Sequence, residues 1–210
     1  ILTRSLLLTA ATLLVCGTAS VQAAPRPDVV LDEVSAPMDV GINGSVVAYT
    51  HRASSARTEV VIRFGNAAPR RLAAGKGYSP VDVGHDRRGR RVVAFQRCGA
   101  RCDLMTVPVV GGRPRVVARI RRAADVTIGR GRIFGIEGRR VRSRLLAGGP
   151  VHREAVAFGM RPQRIDTDGR TLAVTGEMVY HDINGKSGLS VTRPGSGRAR
   201  SASAPTPAAA

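Results

Sequence analysis

Tryptophan is absent and aromatic residues make up 3% of the 210-residue chain, so the stacking platforms used by binders of sugars and single-stranded nucleic acid are missing. Lysine is nearly absent too: of 33 basic residues, only Lys76 and Lys186 are not arginine. With 15 acidic residues the formal net charge is +18. The arginines are scattered along the sequence beside abundant Ala, Gly, Val and Pro, the pattern that GC-rich coding produces. Such a charge speaks to solubility and general attraction to polyanions rather than to one ligand, and without a reading element or interleaved aromatics no specific nucleic-acid recognition is expected. His51, His85, His152 and His181 share no spacing and form no His-x-His or Glu-x-x-His pair. No metal centre or cofactor is expected from them.

Apolar runs long enough to cross a bilayer are also missing, since a spanning helix needs about 20 apolar residues. The longest runs from Leu6 to Val15, after one positive charge at Arg4 and before small residues ending in Val21-Gln22-Ala23. Residues 1–23 are similar to a secretory signal peptide cleaved after Ala23, which places the mature chain in a secreted or cell-envelope compartment with no transmembrane span. Val15 before Cys16 disfavours lipidation. The first residue is Ile, so either an unusual start codon was used or the true beginning is missing. Past the signal segment the cysteines are Cys98 and Cys102, and an oxidising compartment favours a disulfide between them. Their C-x-x-x-C spacing, with no helix start after it, argues against a redox-active dithiol.

One short motif recurs at even spacing: Met38-Asp39-Val40-Gly41, Val81-Asp82-Val83-Gly84, Ala124-Asp125-Val126-Thr127 and Ile165-Asp166-Thr167. Successive acids are 43, 43 and 41 residues apart. Each copy is followed by a glycine turn and an apolar run: Val46 to Tyr49, Val92 to Phe95, Ile133 to Ile136 and Leu172 to Val174. A third run follows at Glu59 to Phe64, Asp103 to Val109, Ser143 to Leu146 and Leu189 to Thr192. A fourth is clearest at Pro69 to Ala73 and Pro114 to Ala118. β-Branched runs bounded by Gly, Asn and Asp read as strands and tight turns, and nothing supports a long amphipathic helix.

Four short antiparallel strands per unit of about 40 to 45 residues is the arithmetic of a β-propeller blade. A lone twisted sheet cannot bury both faces, whereas stacked sheets bury them against each other. The expected fold is therefore all-β, a propeller or open propeller arc of about four blades over 38–80, 81–123, 124–163 and 164–195. Residues 24–37 form an N-terminal segment in which Asp28 to Val34 is a candidate latch strand, and 196–210 form a low-complexity tail. The run Gly89-Arg-Arg-Val-Val-Ala-Phe95, with Cys102 to Pro108 and Gly111 to Val117, resembles the blade of TolB-type bacterial propellers. The resemblance implies a fold and no activity. Such propellers usually have six or seven blades, so about four leaves three alternatives open: a four-bladed ring, an open arc that dimerises, or a truncated product, which ranks first.

Asp39, Asp82, Asp125 and Asp166 fall on the strand that lines a propeller channel. They either ring the axis as an acidic collar for a cation or basic peptide, or accept backbone N–H groups and arginines from the next blade and fix blade register; the second reading is preferred. Alternation puts Val81 and Val83 on the opposite side from Asp82. Thr50, His51, Gln96, Arg97, Glu137 and Glu177, at the ends of second strands, are expected to be solvated loop-side residues. No catalytic residue stands out: Gly195-Ser196-Gly197 lacks the strand-to-helix turn of a nucleophile elbow, and Gly129-Arg130-Gly131 opens a hairpin rather than a phosphate-binding helix. The leading expectation is an exported, non-enzymatic binding module for a protein or an anionic envelope polymer. The alternatives are an accessory propeller of an extracellular hydrolase and a basic polyanion-binding protein.

Overall fold

The computed structural model describes residues 34, 36–157, 159–179, 186–195 and 199–203. The candidate signal segment, the candidate latch apart from Val34 and the end of the tail lie outside the described residues. Every regular element described is a strand. The strands fall into four groups of four. The first holds β1 (Pro37–Asn43), β2 (Val46–Ser54), β3 (Arg57–Phe64) and β4 (Arg70–Gly75). The second holds β5 (Val81–His85), β6 (Arg91–Cys98), β7 (Cys102–Pro108) and β8 (Arg115–Ile120). The third holds β9 (Val126–Gly129), β10 (Arg132–Glu137), β11 (Arg140–Leu145) and β12 (His152–Arg153). The fourth holds β13 (Met160–Thr167), β14 (Leu172–Met178), β15 (Lys186–Thr192) and β16 (Ala199–Ser203).

Within each group, consecutive strands pair antiparallel. Short glycine turns allow this: in Arg130-Gly131, between β9 and β10, both residues have positive φ, 47° and 75°, the backbone of a type I′ hairpin turn that matches strand twist. A single parallel pairing, Gly75 with Cys98, joins the first and second groups at their rims. The strand β16 lies inside the segment read from sequence as a low-complexity tail. It pairs with β15 from Thr192–Ala199 to Gly188–Ser203. An edge strand needs only backbone hydrogen bonds, which a composition of Ser, Ala and Arg supplies without an apolar signal.

Three apolar clusters hold the groups together, one between each consecutive pair. Val46, Ala48, Val60 and Ile62 of the first group meet Val81, Val83, Val93 and Phe95 of the second. Val92, Ala94 and Leu104 meet Val126, Ile128 and Ile133. Phe134, Ile136 and Val141 meet Met160, Ile165 and Leu172. Period-2 alternation gives each sheet one face for the preceding sheet and one for the next. Sheet therefore stacks on sheet, with the first strands β1, β5, β9 and β13 as successive neighbours.

Candidate functional site

The recurring acids sit on the first strands, or in the case of Asp125 immediately before one, on the forward side of each sheet. Asp39 Oδ2 accepts the Val81 N–H at 3.0 Å. Asp82 Oδ2 accepts the Ile128 N–H at 2.9 Å and the Thr127 hydroxyl at 2.8 Å. Asp125 Oδ2 accepts the Ile165 N–H at 2.9 Å. In Asp82, Asp125 and Asp166 the other oxygen accepts the N–H of the next residue in its own strand, at 2.7, 2.9 and 2.7 Å. Three acids thus reach across to the following sheet, whereas Asp166 has no following sheet among the described residues. Close approach of the backbones makes these bonds possible. A Cβ added at Gly84 would lie 2.1 Å from the Ile128 carbonyl oxygen, and one at Gly41 would lie 2.7 Å from the Asp82 Cα.

The acids do not share one height along the axis. Asp82 and Asp166 stand opposite the alanines Ala94 and Ala173 of their second strands, whereas Asp39 stands opposite Thr50, further along β2. The register from the β1–β2 turn to Asp39 is regular, and a bulge follows beyond the acid, between Pro37 and Asp39. Two subsets result. Asp39 and Asp125 share an environment with Tyr78 and Arg164: an Arg164 guanidinium nitrogen is 3.8 Å from Asp39 Oδ1. Burial pushes the Asp125 carboxyl up to about 6, against the stabilising N–H of Ile165, and the Asp39 charge adds to the rise. Burial followed by the Asp39 charge also raises the Tyr78 phenol. Burial raises Asp82 despite its bonds from Thr127, Ile128 and Val83, with the Asp166 charge contributing.

Among the described residues, two of the open clefts gather the most charged groups. The first, about 610 Å³, lies where the first strands turn into the second. Asp82, Asp86, Asp166 and Asp168 share it with His85, Arg87 and Arg130. Two of its acids are spoken for locally: Asp86 is bonded by Arg90 and the Arg88 N–H, and Asp168 by the N–H groups of Arg170 and Thr171. Against a cost of desolvation, the Arg90 N–H and guanidinium hold Asp86 below the usual carboxylate range. The Thr171 and Arg170 N–H groups do the same for Asp168. Among the described residues no three of His, Cys, Asp and Glu converge as metal ligands.

The second cleft, about 830 Å³, lies between the second and third groups at the opposite ends of the hairpins. Arg101 enters from the β6–β7 turn, Arg119, Arg121 and Arg122 from the end of β8, and Arg139, Arg140 and Arg142 from the β10–β11 turn and β11. One carboxylate faces them, Glu137, 3.3 Å from Arg142. Among the described residues the other six guanidinium groups are in no ion pair. Linear scanning missed this cleft because its arginines sit in separate hairpins. The available signal was positional: Arg101 and Arg139-Arg140 occupy the same second-to-third-strand turn of successive units.

The Cys98–Cys102 disulfide forms the wall beside that cleft, its Cα atoms 4.1 Å apart and directly paired across the β6–β7 hairpin. Two residues expected to be solvated are instead buried links between sheets. Thr50 is fully buried and donates to the Ser79 carbonyl at 2.7 Å. Gln96, also fully buried, donates to Tyr78 O at 3.1 Å and accepts the Ala123 N–H at 2.5 Å. A chain passing from one sheet to the next carries backbone polar groups through the interior, and these side chains satisfy them. His51 is 8% exposed and 3.7 Å from Glu59. Arg97, by contrast, is exposed, as expected.

A scan against protein-family models finds no match, and neither does a search of curated proteins. Solved structures do match. TolB from Acinetobacter baumannii aligns with a TM-score of 0.51 at 13% identity, over 74% of this chain and 41% of that one. The fold is a partial TolB-like β-propeller. The β-propeller domain of the Trilobed protease from Pyrococcus furiosus aligns with a TM-score of 0.53 at 9% identity, over 80% and 56% of the two chains. The acylaminoacyl peptidase of Pyrococcus horikoshii aligns at 0.55 and 9%, over 80% and 32%. The chain therefore spans between about a third and just over half the length of these structures. No helix among the described residues is long and apolar enough to cross a membrane.

Proposed function

We propose that this chain is an exported, non-enzymatic propeller module whose ligand is an anionic polymer of the cell envelope, held in the arginine cleft between the second and third sheets. The observation that carries the reading is the excess of seven guanidinium groups over one carboxylate in a single cleft. Guanidinium forks match phosphate oxygens in bidentate geometry, and like charges brought together without carboxylate partners gain most when an anion neutralises them. Asp39, Asp82 and Asp125 serve the scaffold in this reading, as acids that set the register between sheets. Cys98–Cys102 fixes the cleft wall.

Inorganic polyphosphate is the test probe. Its affinity should fall linearly with the logarithm of salt concentration, with a slope reporting the number of neutralised contacts. Arg119→Ser, Arg139→Ser and Arg140→Ser should each reduce that slope by about one, whereas Arg52→Ser, on an exposed stretch of β2 remote from the cleft, should leave it unchanged. An affinity lowered equally by Arg52→Ser and the cleft variants would refute the assignment.

A second reading, an accessory propeller of a hydrolase, is favoured by the likeness to peptidase structures. A catalytic domain encoded contiguously with this sequence would support it.

A further inference from the structure

The arginine cleft does not end at the β10–β11 turn. Arg139 and Arg140, which line it, also line a further open cleft of about 430 Å³, where the third group runs on into the fourth. Arg153 of β12 enters that cleft from the outer strand. It is exposed, and among the described residues it is in no ion pair. The carboxylate that lines this cleft, Glu154, is spent elsewhere: 3% exposed, it accepts the Gly195 N–H at 2.8 Å and the Ser143 hydroxyl, and Arg132 lies 3.9 Å away. Two clefts that share a turn thus carry guanidinium groups on both flanks, and among the described residues Glu137 is the one carboxylate that pairs with any of them. A second observation points the same way. Arg142 and Arg153 stand directly opposite each other on β11 and β12. Like charges so placed repel and cost stability. Arg142 has Glu137 at 3.3 Å, whereas Arg153 has no such partner, and an anion laid along both would relieve the repulsion.

We propose that the two clefts form one continuous track, and that the ligand is a linear polyanion running from the second group over the β10–β11 turn to Arg153, rather than a compact anion seated in the first cleft. The inference rests on the anionic-ligand reading and extends it. Sheets stacked about 10 Å apart put the two intervals from the second group to the fourth at about 20 Å, so a ligand must carry charge along at least that length to use the whole track. Arg139 and Arg140 sit at its middle, against both clefts, and Arg119 and Arg153 mark its flanks. Guanidinium forks held on separate hairpins, at intervals along an open path, suit a chain with an anionic group in every repeat.

Polyphosphate of two lengths is the probe: tripolyphosphate, which spans no more than one cleft, and a long chain that passes both. Calorimetric titration of the full chain at several salt concentrations gives the slope of log affinity against log salt for each length. Arg119→Ser should lower the slope by about one for both lengths. Arg153→Ser should lower it by about one for the long chain and leave it unchanged for tripolyphosphate, whereas Arg153→Lys, which keeps the charge, should retain it. Without ligand, Arg153→Ser should unfold in urea at or above the wild-type midpoint, since it removes a like-charge contact, so that weaker long-chain binding is not a loss of fold. Long-chain binding indifferent to Arg153→Ser overturns the track and leaves the first cleft standing, as does an equal loss at both lengths. Binding indifferent to Arg119→Ser as well, or lowered as much by Arg52→Ser, removes the anionic-ligand reading and the track with it.

Discussion

Asp39 and Val81, 42 residues apart in sequence, are joined by a 3.0 Å hydrogen bond from the Val81 N–H to the Asp39 carboxylate. The bond ties the first strand of one sheet to the first strand of the next, and it recurs from Ile128 to Asp82 and from Ile165 to Asp125. Inner-strand edges of a propeller carry backbone donors that no further strand pairs. A carboxylate from the preceding sheet satisfies them at the point where the backbones come closest, and buried donors left unpaired are costly.

That closeness leaves no room for a side chain at Gly84. Gly84→Ala should destabilise the chain by about 1–3 kcal/mol, the usual cost of overpacking, because its Cβ would meet the Ile128 carbonyl at 2.1 Å. Gly99→Ala, in open space, should change stability by less than about 0.5 kcal/mol. Urea unfolding of both variants checks the contrast.

Asp125 should make stability depend on pH. Its carboxyl rises from 3.8 to about 6 in the folded chain, so between those values the folded state holds the proton more tightly than the unfolded state. The contribution is fully present below 3.8 and is lost as pH rises through 6. Asp125→Asn, which cannot ionise, should gain stability relative to the wild type as pH increases from 4 to 7. Chemical unfolding of both proteins at several pH values across that range measures it. A difference that is flat or of opposite sign would remove burial as the cause. Asp82 shifts in the same direction, so some slope should persist in the variant.

Much of this architecture was legible because it is periodic. The 43-residue recurrence of an acid, followed by a glycine turn and an apolar run, announces stacked four-stranded sheets, and the alternation of Asp82 with Val81 and Val83 foretells which neighbour each side chain meets. Three things escaped the sequence. The register that sets Asp39 opposite Thr50 rather than opposite an alanine depends on backbone pairing. Gln96 and Thr50 look like loop-side polar residues until the connecting chain is laid over them. The strand β16 is held by backbone pairing at an edge, where composition carries little information. The arginine cleft was hidden for a different reason: linear scanning sees a scatter, and the fold brings the turns of neighbouring hairpins together.

Removing the disulfide should leave the fold intact. Cys98 and Cys102 are four positions apart, and closing so short a loop restricts the unfolded chain by only about 2 kcal/mol. Cys98→Ser with Cys102→Ser should therefore unfold cooperatively at a modestly lower urea midpoint. Polyphosphate affinity should drop more than stability does if the bridge holds the cleft wall in place.

The most direct test of the account is equilibrium urea unfolding at pH 7, at a concentration where the chain is monomeric, of Asp39→Ala, Asp82→Ala and Asp166→Ala. The first two remove acceptors that bind the following sheet and should each cost about 1–3 kcal/mol. Asp166→Ala, with no following sheet to hold among the described residues, should stay within about 0.5 kcal/mol of the wild type. Equal losses at all three positions, or silence at Asp39 and Asp82, would contradict the claim that these acids join one sheet to the next.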